Sequence, residues 1–430
     1  MKNPSLKHAS PRSQFRRRHG CSRLAATAVV TLVLGGVLGG VVGAEPGGAA
    51  QQGVVLPGAS TTPPPVVRPT PFTRAPMIQS PPAGEIEVLP IRGNLWVLFG
   101  AGGNITVSMG PDGVLLVDTG LPAMTDKIIA AIQRVQREWV ARNQPGPLGW
   151  GAETRSSVAA RHVPLPAKPV RYIVNTHAGA DHVGGNERLR NFGRTFAGGN
   201  VAGDIRDSGE GAAIMAHEQV MNRLLRTPAG QPALSADALP TDTYYVEFYK
   251  LSHYFNGEGV QLFHVPNAHT DGDSMVHFRG TDVFALGDLM SSESFPVIDV
   301  ARGGTVNGVI DGLNRVLEMS IAEFRLEGGT LMVPGHGRLV DSADVAYYRD
   351  MMTIIRDRVQ DLIAKGMSLE QVKAARPAAD YDTEYGTANG AWTTDRFIEA
   401  VYTSLGGGKP IASPPAPAPA PAGRAPGRRE

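Results

Sequence analysis

Val170-Arg-Tyr-Ile-Val-Asn-Thr-His-Ala-Gly-Ala-Asp-His-Val-Gly-Gly-Asn186 opens as an apolar, β-branched run and closes in a glycine-broken turn before a helical pattern. A buried strand followed by a turn places the polar residues at the strand's carboxyl end, where α/β folds assemble their chemistry. His177, Asp181 and His182 there offer two imidazoles and a carboxylate within one short segment, nitrogen and oxygen donors suited to zinc or a similar divalent ion. A metal cage needs further donors from elsewhere in the chain.

Working outward, three more candidates stand at the ends of apolar, β-rich runs. His269 comes after Val260-Gln-Leu-Phe-His-Val265, Asp288 after Val283-Phe-Ala-Leu-Gly287, and His336 after Thr330-Leu-Met-Val-Pro-Gly335. The segments Thr176-His-Ala-Gly-Ala-Asp-His-Val-Gly-Gly185, Ala268-His-Thr-Asp-Gly-Asp273, Leu286-Gly-Asp288 and Val333-Pro-Gly-His-Gly337 together resemble the metallo-β-lactamase-fold hydrolase superfamily, which includes the glyoxalase II-like enzymes. One departure stands out: the family's first motif reads His-x-His-x-Asp-His, and Gly179 occupies its second histidine.

The resemblance implies a four-layer αββα sandwich, two facing sheets covered by helices, with the donor side chains gathered on loops at one edge. It implies two adjacent metal positions, the first taking His177, His269 and a bridging Asp288, the second Asp181, His182, Asp288 and His336. Gly179 leaves the first with too few donors, so the second is expected to fill first, with one or two zinc ions in all. Putting a histidine at position 179 is then expected to raise occupancy of the first position. Asp118, in Val117-Asp-Thr-Gly120, takes a hydrogen-bonding role behind the metal loop, and Thr270 and Asp273 are read either as supports of the ligands or as turn formers.

The function so implied is metal-dependent hydrolysis: water activated by the ion attacks an ester, lactone, thioester or amide carbonyl, β-lactams included, with Asp181 orienting the nucleophile. Two alternatives stay open. His177, His269 and Asp288 form the two-histidine, one-carboxylate set of non-haem iron dioxygenases, some of which share this fold. The chain is otherwise a metal- or ligand-binding relative whose hydrolytic power went with the histidine. The small-molecule substrate is not specified by any of these residues.

Ahead of this domain, residues 1–44 pair a basic stretch, Arg16-Arg-Arg18, with an almost wholly apolar run ending Val42-Gly-Ala44, the pattern of an export signal and of a periplasmic or secreted protein. An uncleaved membrane anchor is the other reading. Residues 45–82 are rich in Pro and Gly and read as a linker, 83–405 as the catalytic domain, and 406–430 as an unstructured Pro/Ala tail. The single cysteine, Cys21, lies in the leader, so the domain has no thiol for a disulfide or for a metal. A formal net charge of +1 with intermixed signs argues against a nucleic-acid surface.

Gly100-Ala-Gly-Gly-Asn104 lacks the lysine and spacing of a phosphate loop and reads as a tight hairpin, which by resemblance borders the metal site. Gly211 to Leu225 reads as a helix with Ile214, Val220, Met221 and Leu224 on one side; its His217 is a packing or surface residue rather than a substitute ligand. Asn143 to Pro169 reads as an insertion. After His336, apolar residues Val345, Tyr348, Met352, Ile355, Val359 and Leu362 trace one helical stripe, Ser368-Leu-Glu-Gln371 has capping-box form, and a last helix carries Phe397, Ile398, Val401 and Leu405.

Overall fold

Alternation along the strands decides how the layers stack. In β1 (Glu87–Pro90), β2 (Leu95–Phe99), β3 (Ile105–Gly110), β4 (Gly113–Val117), β5 (Val170–Val174), β6 (Ala213–His217) and β7 (Asp242–Tyr244), paired in that order, successive residues face opposite sides. Trp96, Leu98, Leu116 and Ile214 form one core with Ile128, Ile132, Val135 and Trp139 of helix α1 (Thr125–Arg142). Leu95, Val97, Phe99, Leu115, Val174 and Met215 point the other way, into a core shared with a second sheet. The computed structural model describes residues 81, 84–143, 168–195, 211–226, 233–251, 254–321 and 329–407. The expected leader, nearly all of the linker, most of the Asn143–Pro169 insertion and the tail from 408 lie outside these.

The second sheet is ordered β12-β11-β10-β9-β8, from β8 (Phe248–Lys250), β9 (Val260–His264), β10 (Ser274–Phe278), β11 (Val283–Ser291) and β12 (Leu331–His336). Leu262, Val276, Phe278, Val283 and Val333 meet the first sheet across the central core. Phe263, Met275, Phe284, Leu286 and Met332 face outward into a third core. Three apolar interfaces require four layers, so the αββα sandwich implied by the resemblance is the observed architecture.

Among the described residues between β5 and β6 are the short helices α2 (Ala180–Val183) and α3 (Asn186–Phe192), and α4 (Glu218–Leu224) follows β6. Helix α5 (Val306–Met319) covers the second sheet through Val309 and Leu313, and α6 (Ser342–Ala364) covers it through Val345, Tyr348, Met352, Ile355 and Val359, the stripe read from the sequence. Asp341 caps α6, and Ser368 with Gln371 forms the expected capping box of α7 (Leu369–Ala374). After α8 (Asp382–Tyr385), α9 (Thr394–Ser404) adds Phe397 and Val401 to the same core. Among the described residues no helix is long and apolar enough to cross a membrane.

One expected element is replaced by two. Gly211 to Leu225 is not a single helix: Ala213–His217 is strand β6, parallel to β5 and β7, and only Glu218–Leu224 is helical. A strand buried on both faces carries a continuous apolar run with no period to distinguish it from a buried helix. The aromatic stretch Tyr244 to Tyr249 also divides, Tyr244 ending β7 in one sheet and Phe248 opening β8 in the other.

Candidate metal centre

Asp118 follows β4 with φ 67, a left-handed conformation that aspartate tolerates, and is buried. Its Oδ1 accepts from Thr176 N at 2.8 Å; its Oδ2 accepts from Thr176 Oγ1 and from His182 Nδ1, both at 2.7 Å. Thr176 Oγ1, having donated its own proton, accepts from His177 Nδ1 at 3.0 Å. His269 Nδ1 in turn donates to the carbonyl of Val297 at 2.8 Å. Each of the three imidazoles thus has its Nδ1 proton engaged, which turns an Nε2 lone pair inward, the arrangement of a histidine prepared for a metal.

Those lone pairs converge on Asp288. Its Oδ2 lies 3.5 Å from His177 Nε2 and 4.0 Å from His269 Nε2; its Oδ1 lies 3.1 Å from His182 Nε2 and 3.4 Å from His336 Nε2. His336 Nε2 also stands 3.3 Å from Asp181 Oδ2. Tetrahedral zinc with bonds of about 2.0–2.2 Å would set neighbouring donors ~3.3 Å apart. Three groupings could hold an ion: His177 with His269 and Asp288, His177 with Asp181 and His182, and His182 with Asp288 and His336. His177 Nε2, His182 Nε2 and Asp288 Oδ1 are buried without any hydrogen-bond partner, a cost that a bound cation removes.

The charge distribution agrees. Burial opposes the charged form of His182, yet Asp288 and Asp118 on either side hold its pKa well above the ordinary value, so an ion taking its Nε2 displaces a proton. Burial and the His182 charge together push His177 well below it. Burial would raise Asp288, but His182 and His177 keep it well below the usual carboxylate range. Burial likewise opposes ionisation of Asp181, and the hydrogen bond from His336 brings it to about 2. Two carboxylates stay ionised within a ring of imidazoles, as divalent-cation binding needs.

All six candidates are therefore brought together, Asp181 and His336 at the open rim with side chains 37% and 35% exposed, the others enclosed. Asp288 does not follow its strand as expected; it lies within β11, where the pairing to β12 shifts register around Gly287. Thr270 N and Oγ1 donate to the two oxygens of Asp273 at 2.8 and 2.6 Å, folding the turn after His269. Burial raises the Asp273 carboxyl to about 6. The Gly100–Asn104 hairpin joins β2 to β3, and Gly103 N donates to the carbonyl of Asp181, so this loop does border the site. Sequence reasoning missed the Val297 carbonyl, which no side chain signals, and Thr176, whose hydroxyl links His177 to Asp118.

A model of the metallo-β-lactamase superfamily matches residues 99–336, more than half of the chain and every candidate donor. The chain belongs to the metallo-β-lactamase superfamily. Members of this superfamily are mostly metal-dependent hydrolases that typically hold zinc. Among solved structures of the superfamily fold, a double mutant of the sec-alkyl sulfatase PisA1 is 14% identical with a TM-score of 0.48, over 75% of this chain and 50% of the sulfatase, so the chain spans about half of that enzyme's length. The metallo-β-lactamase from Pontibacter korlensis, 14% identical with a TM-score of 0.41, covers 63% of this chain and 99% of its own. The metallo-β-lactamase DIM-1 gives 14%, 0.41, 64% and 99% for the same quantities. No curated protein matches significantly.

Within this superfamily site, Asp118→Ala would free both His182 Nδ1 and Thr176 from their shared anchor. Removing such a partner is expected to weaken divalent-metal binding about 10–100-fold, read by competition with a chromophoric chelator.

His217 lies apart from the cluster, at the end of β6. Its ring is buried and stacked on His264 at 3.7 Å, beside Tyr244, and His264 Nε2 donates to the carbonyl of Asp271, whose carboxylate pairs with Arg223. Burial, then the neighbouring His264, lowers the His217 pKa from 6.5 to about 4. Between those two values the unfolded chain binds the proton and the folded chain does not. Stability is therefore full above pH ~6.5 and declines as pH falls toward ~4. His217→Phe is expected to flatten that part of the curve in urea unfolding across pH.

Proposed function

We propose that this protein is a metal-dependent hydrolase, using zinc to open an ester, lactone, thioester or amide carbonyl, β-lactams among them. The observation that carries the reading is His336 Nε2, 3.3 Å from Asp181 and 3.4 Å from Asp288, beside His182. Hydrolysis uses all four donors, whereas an iron site of His177, His269 and Asp288 leaves Asp181, His182 and His336 idle. A divalent ion bound there supplies a water deprotonable near neutral pH and an electrophile for the carbonyl oxygen. Asp181, at the rim and ionised, accepts a hydrogen bond from the attacking water and fixes its approach. His182 and His177, locked by Asp118 and Thr176, keep their donor atoms in place through turnover.

His177, His269 and Asp288 favour a second reading, oxygen activation at a single ferrous ion. Purified full chain reconstituted with zinc or with ferrous iron separates the two. Turnover of a carbonyl-substrate panel with about one zinc per chain is the expected result. Iron-dependent oxygen uptake with no hydrolysis would replace it by the dioxygenase, and metal binding without turnover by a non-catalytic relative. The basic and apolar leader further supports an exported protein, checked by the amino terminus of the mature chain.

A further inference from the structure

Position 179 has ordinary extended geometry, φ −67° and ψ 136°, so nothing in the backbone calls for glycine there. Space does. A Cβ on Gly179 would lie 2.5 Å from His177 Nε2, 3.1 Å from His177 Cδ2 and 3.0 Å from Asp181 Oδ1. The His177 imidazole lies across the glycine, with its donor nitrogen where a side chain would begin.

That ring has little room to retreat. Its Nδ1 is bonded to Thr176, which Asp118 holds in turn, and its centroid is 4.3 Å from the His182 ring and 4.8 Å from the His269 ring. His177 also belongs to two of the three ion-holding groupings, one with Asp181 and His182, the other with His269 and Asp288, as His182 and Asp288 each do to two. Two other glycines pack the cage the same way: a Cβ on Gly103 would meet His182 Nε2 at 2.4 Å, and one on Gly335 would meet Asp288 Oδ1 at 2.1 Å.

We propose that Gly179 is a positioning residue: its lack of a side chain lets His177 Nε2 stand between the two groupings, and a histidine at 179 excludes His177 rather than completing a second metal position. The inference rests on the metal-site reading above and reverses the expectation from the motif. Where a two-position cage short of one ligand would gain from Gly179→His, this cage loses by it.

The test titrates zinc into the metal-free full chain against a chromophoric chelator and counts bound zinc by elemental analysis, with no assay of activity. Gly179→Ala and Gly179→His are each expected to weaken the zinc held through His177 about 10–100-fold with no rise in stoichiometry. Adding His177→Ala to Gly179→His removes the colliding ring and is expected to recover part of the lost affinity, which general damage to the fold would not allow. Thermal unfolding of each metal-free variant checks folding, and Gly179→Ala, the smallest change, decides the matter if the histidine variants do not fold. A higher zinc count or tighter binding in Gly179→His, or unchanged affinity in Gly179→Ala, overturns the proposal. Failure of the unaltered chain to bind zinc at all sinks the zinc-site reading itself, a result distinct from either.

Discussion

Asp288→Asn should leave a protein that folds but retains no zinc through desalting, with affinity down by at least ~100-fold, beyond what loss of a supporting partner costs. The carboxylate presents one oxygen to His177 and His269 and the other to His182 and His336. Every arrangement of one or two ions spanning those pairs uses it. The amide keeps the size and planarity of the side chain while discarding its charge, so a loss of metal in Asp288→Asn isolates electrostatics from packing. The fold should tolerate the change: without metal, the carboxylate is itself a buried ion whose stabilisation comes from neighbouring imidazoles. Elemental analysis alongside far-UV circular dichroism reads both halves. Zinc content equal to that of the unaltered chain would remove Asp288 from the centre of the site.

That centre was legible in the sequence because each donor ends or interrupts a run whose burial is written in its residues. Val170 to Val174 declares a strand, and the glycines after it declare a turn, so His177, Asp181 and His182 had to fall at a sheet edge. The distant donors followed from the same logic at His269 and His336. Asp288 does fall in the cluster, but in a different local setting from the one the sequence suggested. A register shift around Gly287, with its φ of +53°, depends on pairing with β12 some forty residues away and leaves no local mark. The strand at Ala213 to His217 was misread as helix for a related reason: what makes it a strand is the pair of parallel neighbours on its flanks. Contacts through backbone, such as Val297 holding His269, and contacts through an absent side chain, such as Gly179 beneath His177, are set by three-dimensional approach alone.

His336→Ala and His269→Ala should differ, and the sense of the difference separates the two chemistries. His336 belongs to the grouping with His182 and Asp288 and reaches Asp181; His269 belongs to the grouping with His177 and Asp288. If hydrolysis runs on an ion held by Asp181, His182, Asp288 and His336, deleting His336 removes a ligand and the group that keeps Asp181 ionised, and turnover should fall by at least ~100-fold. Deleting His269 should cost markedly less, since its Nδ1 is tied to the Val297 carbonyl and its Nε2 is the farthest of the four imidazoles from Asp288. Oxygen chemistry at His177, His269 and Asp288 inverts the order, because there His336 stands outside the ligand set. Measuring both variants on a carbonyl panel with zinc and by oxygen uptake with iron gives a ratio that cannot favour both mechanisms. Equal, total loss in each would mean that the two groupings act as one cage, which the sharing of Asp288 between them makes physically intelligible.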